Sequence, residues 1–398
     1  MARLAGPPER SSRLSKGSES VSLLAVVTLV GFEKVVTFLV MLSVLIVLHE
    51  LGHFVLARRN GVRINEFAVG FGPKLASWTS PRSGTLYSLR ILPIGGFCAM
   101  EGEDNRVSEA EQQREFRSQG TIAQNNFQAK SPWRRLAIIL AGPFANFLLC
   151  YLILLTAALA FGVASDKANQ PVVGEVLPGS PAAIAGIAPG DRIVAIDNAA
   201  IANGKSLVDT IHNALGKRLD LVYERNGIRT EVYVVPRACP AQVGRSFGCI
   251  GFSPVPAYER VGVMQAVRES GSEFVAIASQ TFGGLGLLVT QFAKYAPQIA
   301  GPIGMGEVAA TVQDWGWGPY FSLAATISFA LGLFNLLPIP ALDGGRAAFI
   351  VAELIRGRPV DPEKEAMVHI AGFAALMALI MLVAFHDIAR IINGQGVM

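Results

Sequence analysis

The chain has 398 residues, 51% of them hydrophobic and only 16% charged, with 34 Lys and Arg against 30 Asp and Glu for a net charge of +4. Soluble proteins carry about 25% charged residues, so the composition excludes an ordinary soluble domain and fits a multispanning membrane protein with some mass outside the bilayer. The small positive excess, with no basic patch interleaved with aromatics, argues against nucleic acid as a partner and assigns the lysines and arginines to the flanks of membrane spans.

Residues 1–33 form a tail. MARLAGPPERSSRLSKGSES is polar and is expected to lack fixed structure. The run Val21 to Phe32 imitates a signal peptide, but no small-x-small cleavage site precedes Glu33, so it reads as a retained segment leading into the first span.

Residues 34–164 hold two spans, Val35–Leu56 and Leu136–Phe161, each near the roughly 20 apolar residues that cross a bilayer core. The first ends in VLIVLHELGHFVLARR, Val44 to Arg59, which places three ionisable groups in an apolar run. Such groups are costly in lipid and mark function. HELGH is an HExxH motif. At helical spacing i and i+4 share a face, so His49 and His53 can ligate one zinc, with Glu50 beside them as the base that deprotonates water. Between the spans, TLYSLRILPIGGFCAM, Thr85–Met100, starts with strand-like alternation, and Gly95-Gly96 predicts the turn of a β-hairpin.

Residues 165–256 read as an inserted α/β domain. Val172–Val176 and Arg192–Ile196 are strand-like, Ser180–Gly186 is a short helix, and Leu219 to Pro236 is a hairpin turning at Asn226-Gly227. Cys239 and Cys249 can pair across a turn or remain two buried thiols, and the sequence leaves both open. Cys98 and Cys150 complete the four cysteines, and none forms a CxxC.

Residues 257–317 contain Phe274–Ala293, long enough to span but carrying Gln280, Gln291, three glycines and several hydroxyls. Residues 318–398 hold two further spans, Tyr320–Leu337 and Met367–Ile392. Between them lies FNLLPIPALDGG, Phe334 to Gly345. Pro338 and Pro340 break the helix, Gly344 and Gly345 permit a sharp turn, and Asp343 is aimed back as the third protein ligand that a catalytic zinc needs. His212, His369 and His386 have no ligand spacing and read as surface or interfacial residues.

Orientation follows from basic flanks. Arg58, Arg59, Arg63, Lys130, Arg134, Arg135, Arg346, Arg356, Arg358 and Lys364 make the short loops cytoplasmic, against the basic tail, and the insert external. If Phe274–Ala293 also spanned, Asp343 would emerge a membrane away from His49. The predicted architecture is therefore a polytopic α-helical membrane protein with four transmembrane helices, the fifth segment lying at the external interface.

HELGH, VGFGP (Val69–Pro73), AGPFAN (Ala141–Asn146), GPIG (Gly301–Gly304) and NLLPIPALDGG (Asn335–Gly345) occur in this order, and in them the chain resembles the bacterial site-2 protease family, the RseP-type intramembrane zinc metalloproteases. The resemblance implies zinc at His49, His53 and Asp343, Glu50 as base, and Asn335 and Asn146 near the substrate. It implies single-span membrane substrates such as anti-sigma factors, cut within or near their spans after a first external cleavage, in the bacterial inner membrane with the active site toward the cytoplasm. The segment around Gly95 and Gly96 would dip toward the site and hold substrate as an extended strand, since a helical substrate hides its peptide bonds. PVVGEVLPGSPAAIAGIAPGDRIVAIDN, Pro171 to Asn198, resembles a bacterial PDZ domain, which implies a periplasmic PDZ-like insert that takes a peptide C-terminus or an extended strand. Enterobacterial relatives carry two such domains, and this chain has room for one. The rival readings are an ion-coupled transporter, for which the inverted repeats are missing, and a membrane PDZ scaffold without proteolysis, against which Glu50 argues.

Overall fold

The computed structural model describes residues 31–103, 124–164, 171–177, 179–239, 247–254, 258–295 and 300–392. The expected tail, with its signal-like run, lies outside them as far as residue 30.

Helix α1 (Phe32–Arg59) runs unbroken through the HELGH segment and closes with Arg58 and Arg59 in its last turn, where positive charge suits the helix dipole. Strands β1 (Ile64–Thr79) and β2 (Leu86–Met100) follow as an antiparallel pair. Both bend back on themselves, at Gly70 (φ 86°) and Gly72 (φ 89°) in β1 and Gly95 (φ 83°) in β2. Glu66–Val69 consequently has Gly96–Ala99 on one side and Leu86–Leu89 on the other, and Ala76–Thr79 pairs with Leu86–Leu89 from the far side. This corrects the hairpin expected within Thr85–Met100. The turn of the pair lies between Thr79 and Leu86, and Gly95 bends a strand whose halves are separated by Glu66–Val69.

Helix α2 (Pro132–Ala160) opens with proline at its first position and is the hub of the bundle, touching α1 and every later helix that carries the site. At its basic end the buried Arg135 pairs with Glu353 at 2.5 Å. Strand β3 (Val163–Ala164) leads into the insert. There β4 (Val173–Val176), a one-turn helix at Pro181–Ile184 capped by Ser180, β5 (Arg192–Ile196), β6 (Ala199–Ala200), α3 (Gly204–His212), β7 (Leu219–Arg225) and β8 (Ile228–Val234) enclose a core that includes Val173, Ile193, Ile196, Leu207 and Leu221. Sheet order is β6-β5-β7-β8. The expected hairpin turns at Asn226 (φ 52°) and Gly227 (φ 80°), the left-handed pair that a tight two-residue turn demands.

Strands β9 (Arg237–Ala238) and β10 (Gly248–Cys249) pair and bring Cys239 and Cys249 to a Cα separation of 4.9 Å, where they are bonded. This decides between the two alternatives left open. His212 stacks on Phe247 and lies beside the disulfide. Strand β11 (Phe252–Pro254) pairs with β4, and β12 (Tyr258–Glu259) returns against β3, so the insert hangs on a two-stranded neck.

Helix α4 (Val263–Thr290) begins some three turns before the segment read as Phe274–Ala293, and its added start carries Arg268, Glu269 and Glu273. Helix α5 (Pro302–Asp314) accounts for GPIG: the Gly301 and Gly304 N–H groups donate to Asp387, at 3.2 and 2.9 Å. Helices α6 (Trp317–Leu336), α7 (Asp343–Arg356) and α8 (Pro362–Ile392) complete the chain, and Asp387 belongs to α8. Among the described residues five helices, α1, α2, α4, α6 and α8, are long and apolar enough to cross a membrane, one more than the four expected to do so.

Candidate metal centre

One helical turn separates His49 from His53, and both side chains are buried against α2. Their rings fit because α2 offers Gly142, where an added Cβ would stand 2.2 Å from His53 Nε2 and 2.8 Å from His49 Cε1. Gly52, inside the motif, lets the two helices meet: a Cβ there would lie 2.4 Å from the Ala141 carbonyl oxygen.

Each ring is held from behind. His53 Nδ1 lies 2.9 Å from the Ile138 carbonyl oxygen, which can only accept, so Nδ1 carries the proton and Nε2 presents a lone pair. His49 Nδ1 lies 3.2 Å from the amide of Asn146, whose Oδ1 is buried without a partner. An amide can offer either end to a ring nitrogen. Turned over, Asn146 accepts the His49 Nδ1–H through that orphaned oxygen and frees Nε2 for a metal. Asn146 is fully buried, with its amide against the His49 ring.

Asp343 arrives from the other side of the bundle. Helix α6 stops at Leu336, ahead of Pro338 and Pro340, and Ala341 takes a left-handed conformation (φ 78°) before α7 opens on Asp343. The sharp turn is thus made by an alanine. Gly344 and Gly345 serve close approach instead: a Cβ on either would stand 2.1 Å from the Leu337 or 2.4 Å from the Ile339 carbonyl oxygen. The Asp343 carboxylate ends 3.0 Å from His49 Nε2 and 3.2 Å from His53 Nε2, which are themselves 3.2 Å apart.

Donors bound at about 2.0–2.1 Å to a tetrahedral zinc stand about 3.3 Å from one another. All three observed separations are within a few tenths of that value. Two imidazole nitrogens and a carboxylate oxygen are also the donor set such an ion takes. The buried orphan oxygen of Asn146, the glycine floor and the triangle of donors therefore fit a zinc ion with three protein ligands.

Glu50 sits next to this triangle, and its Oε2 accepts the Cys98 N–H at 3.1 Å. Cys98 lies on the run Gly96–Ala99, so that edge of the sheet faces the site, with Gly96 against Val47 of α1. Gly95 and Gly96 are therefore brought to the site, whereas Asn335 donates its amide to Leu331 of its own helix, at 2.9 Å. Sequence reasoning missed Gly142, the Ile138 carbonyl and the Cys98 N–H. It also gave no partner to His369, which is half-buried and accepts the Ala341 N–H at 2.9 Å. The AGPFAN motif, with Pro143 inside an apolar helix, was the signal that α2 is special here.

The profile of peptidase family M50 matches residues 37–379. Zinc metalloprotease RasP of Bacillus licheniformis is 34% identical, over 90% of this chain and 99% of that protein. Regulator of sigma-W protease RasP of Bacillus subtilis is 31% identical, over 90% and 98% respectively. Among solved structures, the PDZ domain of an SdrC-like protein from Listeria monocytogenes overlaps 23% of this chain and 92% of that one, at 23% identity and a TM-score of 0.19.

Proposed function

The chain belongs to peptidase family M50 and is an intramembrane zinc metalloprotease of the site-2 type, and from that premise we propose that His49, His53 and Asp343 hold the zinc while Glu50 is the general base. The observation that carries the assignment is the triangle of three donor atoms, each within 3.2 Å of the other two, drawn from α1 and from the start of α7. Zinc, when bound, lowers the pKa of water toward neutrality and polarises a scissile carbonyl. Glu50 takes the proton from the attacking water and hands it to the leaving amine. The Cys98 N–H keeps Glu50 turned toward the site, and Ile138 and Asn146 keep the imidazoles in the ligating tautomer.

The substrate lies beside the run Gly95–Cys98 as an added strand, its backbone hydrogen-bonded there after its helix has opened. Asn335, near the end of α6, contacts the substrate after releasing its own helix. Substrates are single-span membrane regulators, anti-sigma factors among them, as the name of the Bacillus subtilis relative supports. The PDZ-like insert receives a peptide C-terminus or an extended segment along β11, which pairs with β4 alone among the described strands.

Four helices span the bacterial inner membrane: α1, α2, α6 and α8. Helix α4 lies at the external interface, which its Arg268, Glu269 and Glu273 support. With α4 outside, Asp343 emerges on the same face as Arg58 and Arg59, which is what its contact with His49 requires. The disulfide supports an external, oxidising location for the insert.

The test is cleavage of a single-span substrate by purified protein in lipid vesicles, before and after chelation and with zinc restored. Activity is expected to vanish with the metal and return with it. Cutting at an unchanged rate by protein shown to be metal-free would overturn the assignment.

A further inference from the structure

We propose that His369 is a positioning residue for the metal-binding carboxylate: by accepting the Ala341 N–H it holds the left-handed turn that aims Asp343 at His49 and His53. The inference rests on the reading of Asp343 as a zinc ligand. Ala341 is the one residue between the two elements whose backbone takes a conformation that L side chains rarely adopt (φ 78°). Its N–H donates to His369 Nδ1 at 2.9 Å, across 28 residues of sequence, from a loop that two prolines have stripped of helical hydrogen bonds. Helix α8 meets the same loop at Gly372, where an added Cβ would stand 2.3 Å from Pro340 Cβ. The His369 ring packs on Phe349 of α7, the helix that Asp343 opens, with centroids 5.5 Å apart.

The ring pays a penalty for being there. A histidine that accepts at Nδ1 carries its proton on Nε2, and His369 Nε2 is buried with no partner. An apolar side chain would pack against Phe349 without an unmet Nε2–H of its own, but it would strip the Ala341 N–H of its acceptor. What a histidine adds is the acceptor for Ala341. Helix α8 supplies no ligand, yet through this bond it sets where the third ligand stands.

The experiment uses the full-length protein in lipid and reads zinc retained against rising chelator, by metal analysis. His369→Leu is expected to release zinc at about tenfold to hundredfold less chelator, the range for loss of groups that orient ligands. Glycine enters the left-handed region freely, so adding Ala341→Gly to His369→Leu is expected to restore most of the retention. His369→Asn, whose Oδ1 can take the place of Nδ1, is expected to hold zinc within a few-fold of wild type. Unchanged retention in His369→Leu overturns the proposal, as does failure of Ala341→Gly to rescue a His369→Leu protein that has lost zinc. Should His369→Leu not fold, release of zinc by a folded His369→Asn protein overturns it equally. Asp343→Ala separates the two levels: if it keeps its zinc, the ligand assignment fails, whereas if it loses zinc while His369→Leu does not, only the role of His369 fails.

Discussion

Gly142 leaves the space into which both imidazoles point. Replacing it with alanine puts a methyl 2.2 Å from His53 Nε2, and backbone rather than a flexible side chain carries that methyl. Gly142→Ala is therefore expected to fold with α1 and α2 still packed but to bind little zinc, measured as metal per protein on the purified variant. Asn146→Leu keeps the volume and removes the acceptor for His49 Nδ1–H. It is expected to weaken zinc binding by about 10–100-fold in a chelator competition. An unchanged affinity would mean that His49 needs no orienting partner. HELGH itself was legible because its geometry is local: i and i+4 meet on any helix. Asn146 and Cys98 were not, because their bonds to His49 and Glu50 cross 97 and 48 residues of sequence, and no local pattern encodes them.

At the scale of elements, the insert is braced by Asp191, which is nearly inaccessible and receives Arg225 Nε and Nη2 at 2.6 and 2.7 Å. Burial pushes its carboxyl up, but the Arg225 guanidinium and the Ala188 N–H outweigh burial and hold it below the ordinary carboxylate range. A depressed pKa adds stability above the ordinary value of about 3.9, and that stability is lost as pH falls through the lowered one. Amide-exchange protection of β5 and β7, corrected for intrinsic rate, is expected to fall as pH drops below about 4. Asp191→Asn should lower protection at neutral pH and flatten that acid limb, and a variant with wild-type protection at pH 7 would contradict the role. Elements with local signals were read well. Asn226-Gly227 fixed one hairpin, and Val172–Val176 and Arg192–Ile196 fell within a residue of their strands. The sheet after α1 was misread because Gly95 bends a strand and Glu66–Val69 inserts between the two halves. Pairing of that kind is decided by tertiary contact, not by turn residues. GPIG likewise carried no local sign that Asp387, 83 residues after Gly304, would bind its N–H groups.

The whole molecule divides its chemistry between the bundle and the hanging insert. Among the described residues, nothing in the metal centre comes from 171–254. A chain with that stretch replaced by a short linker is expected to keep its zinc and to change which substrates it cuts. A folded, metal-loaded deletion that cuts nothing would give the insert more than selection. Helix α8 exposes Met367, Ile370, Phe373, Leu382 and Phe385, and α1 exposes Val36, Val40 and Val44, an apolar surface suited to lipid. The Cys239–Cys249 bond closes a short loop in the insert, which stabilises it by about 2–3 kcal/mol in the chain-entropy account. Both cysteines are expected to resist alkylation in intact membranes until reduced. Ready labelling by a reagent confined to the cytoplasm would invert the orientation. That the chain is a membrane protein carrying an inserted β-rich domain was legible because span length is imposed by the bilayer itself. The count was harder, since α4 passes every test of length and apolarity, and the reading that it stays outside leans on its charged start and on the meeting of Asp343 with His49.

The central claim is that Glu50 performs proton transfer at a zinc that it does not hold. Its most direct test measures two quantities on the same purified Glu50→Gln protein in lipid: zinc per chain and the rate of cleavage of a single-span substrate. Glutamine keeps the size of the side chain and can still meet the Cys98 N–H, but it cannot take a proton. The expected result is one zinc per chain, as in the wild type, with cleavage slower by about 10²–10⁴. Near-normal cleavage with zinc in place would contradict the account.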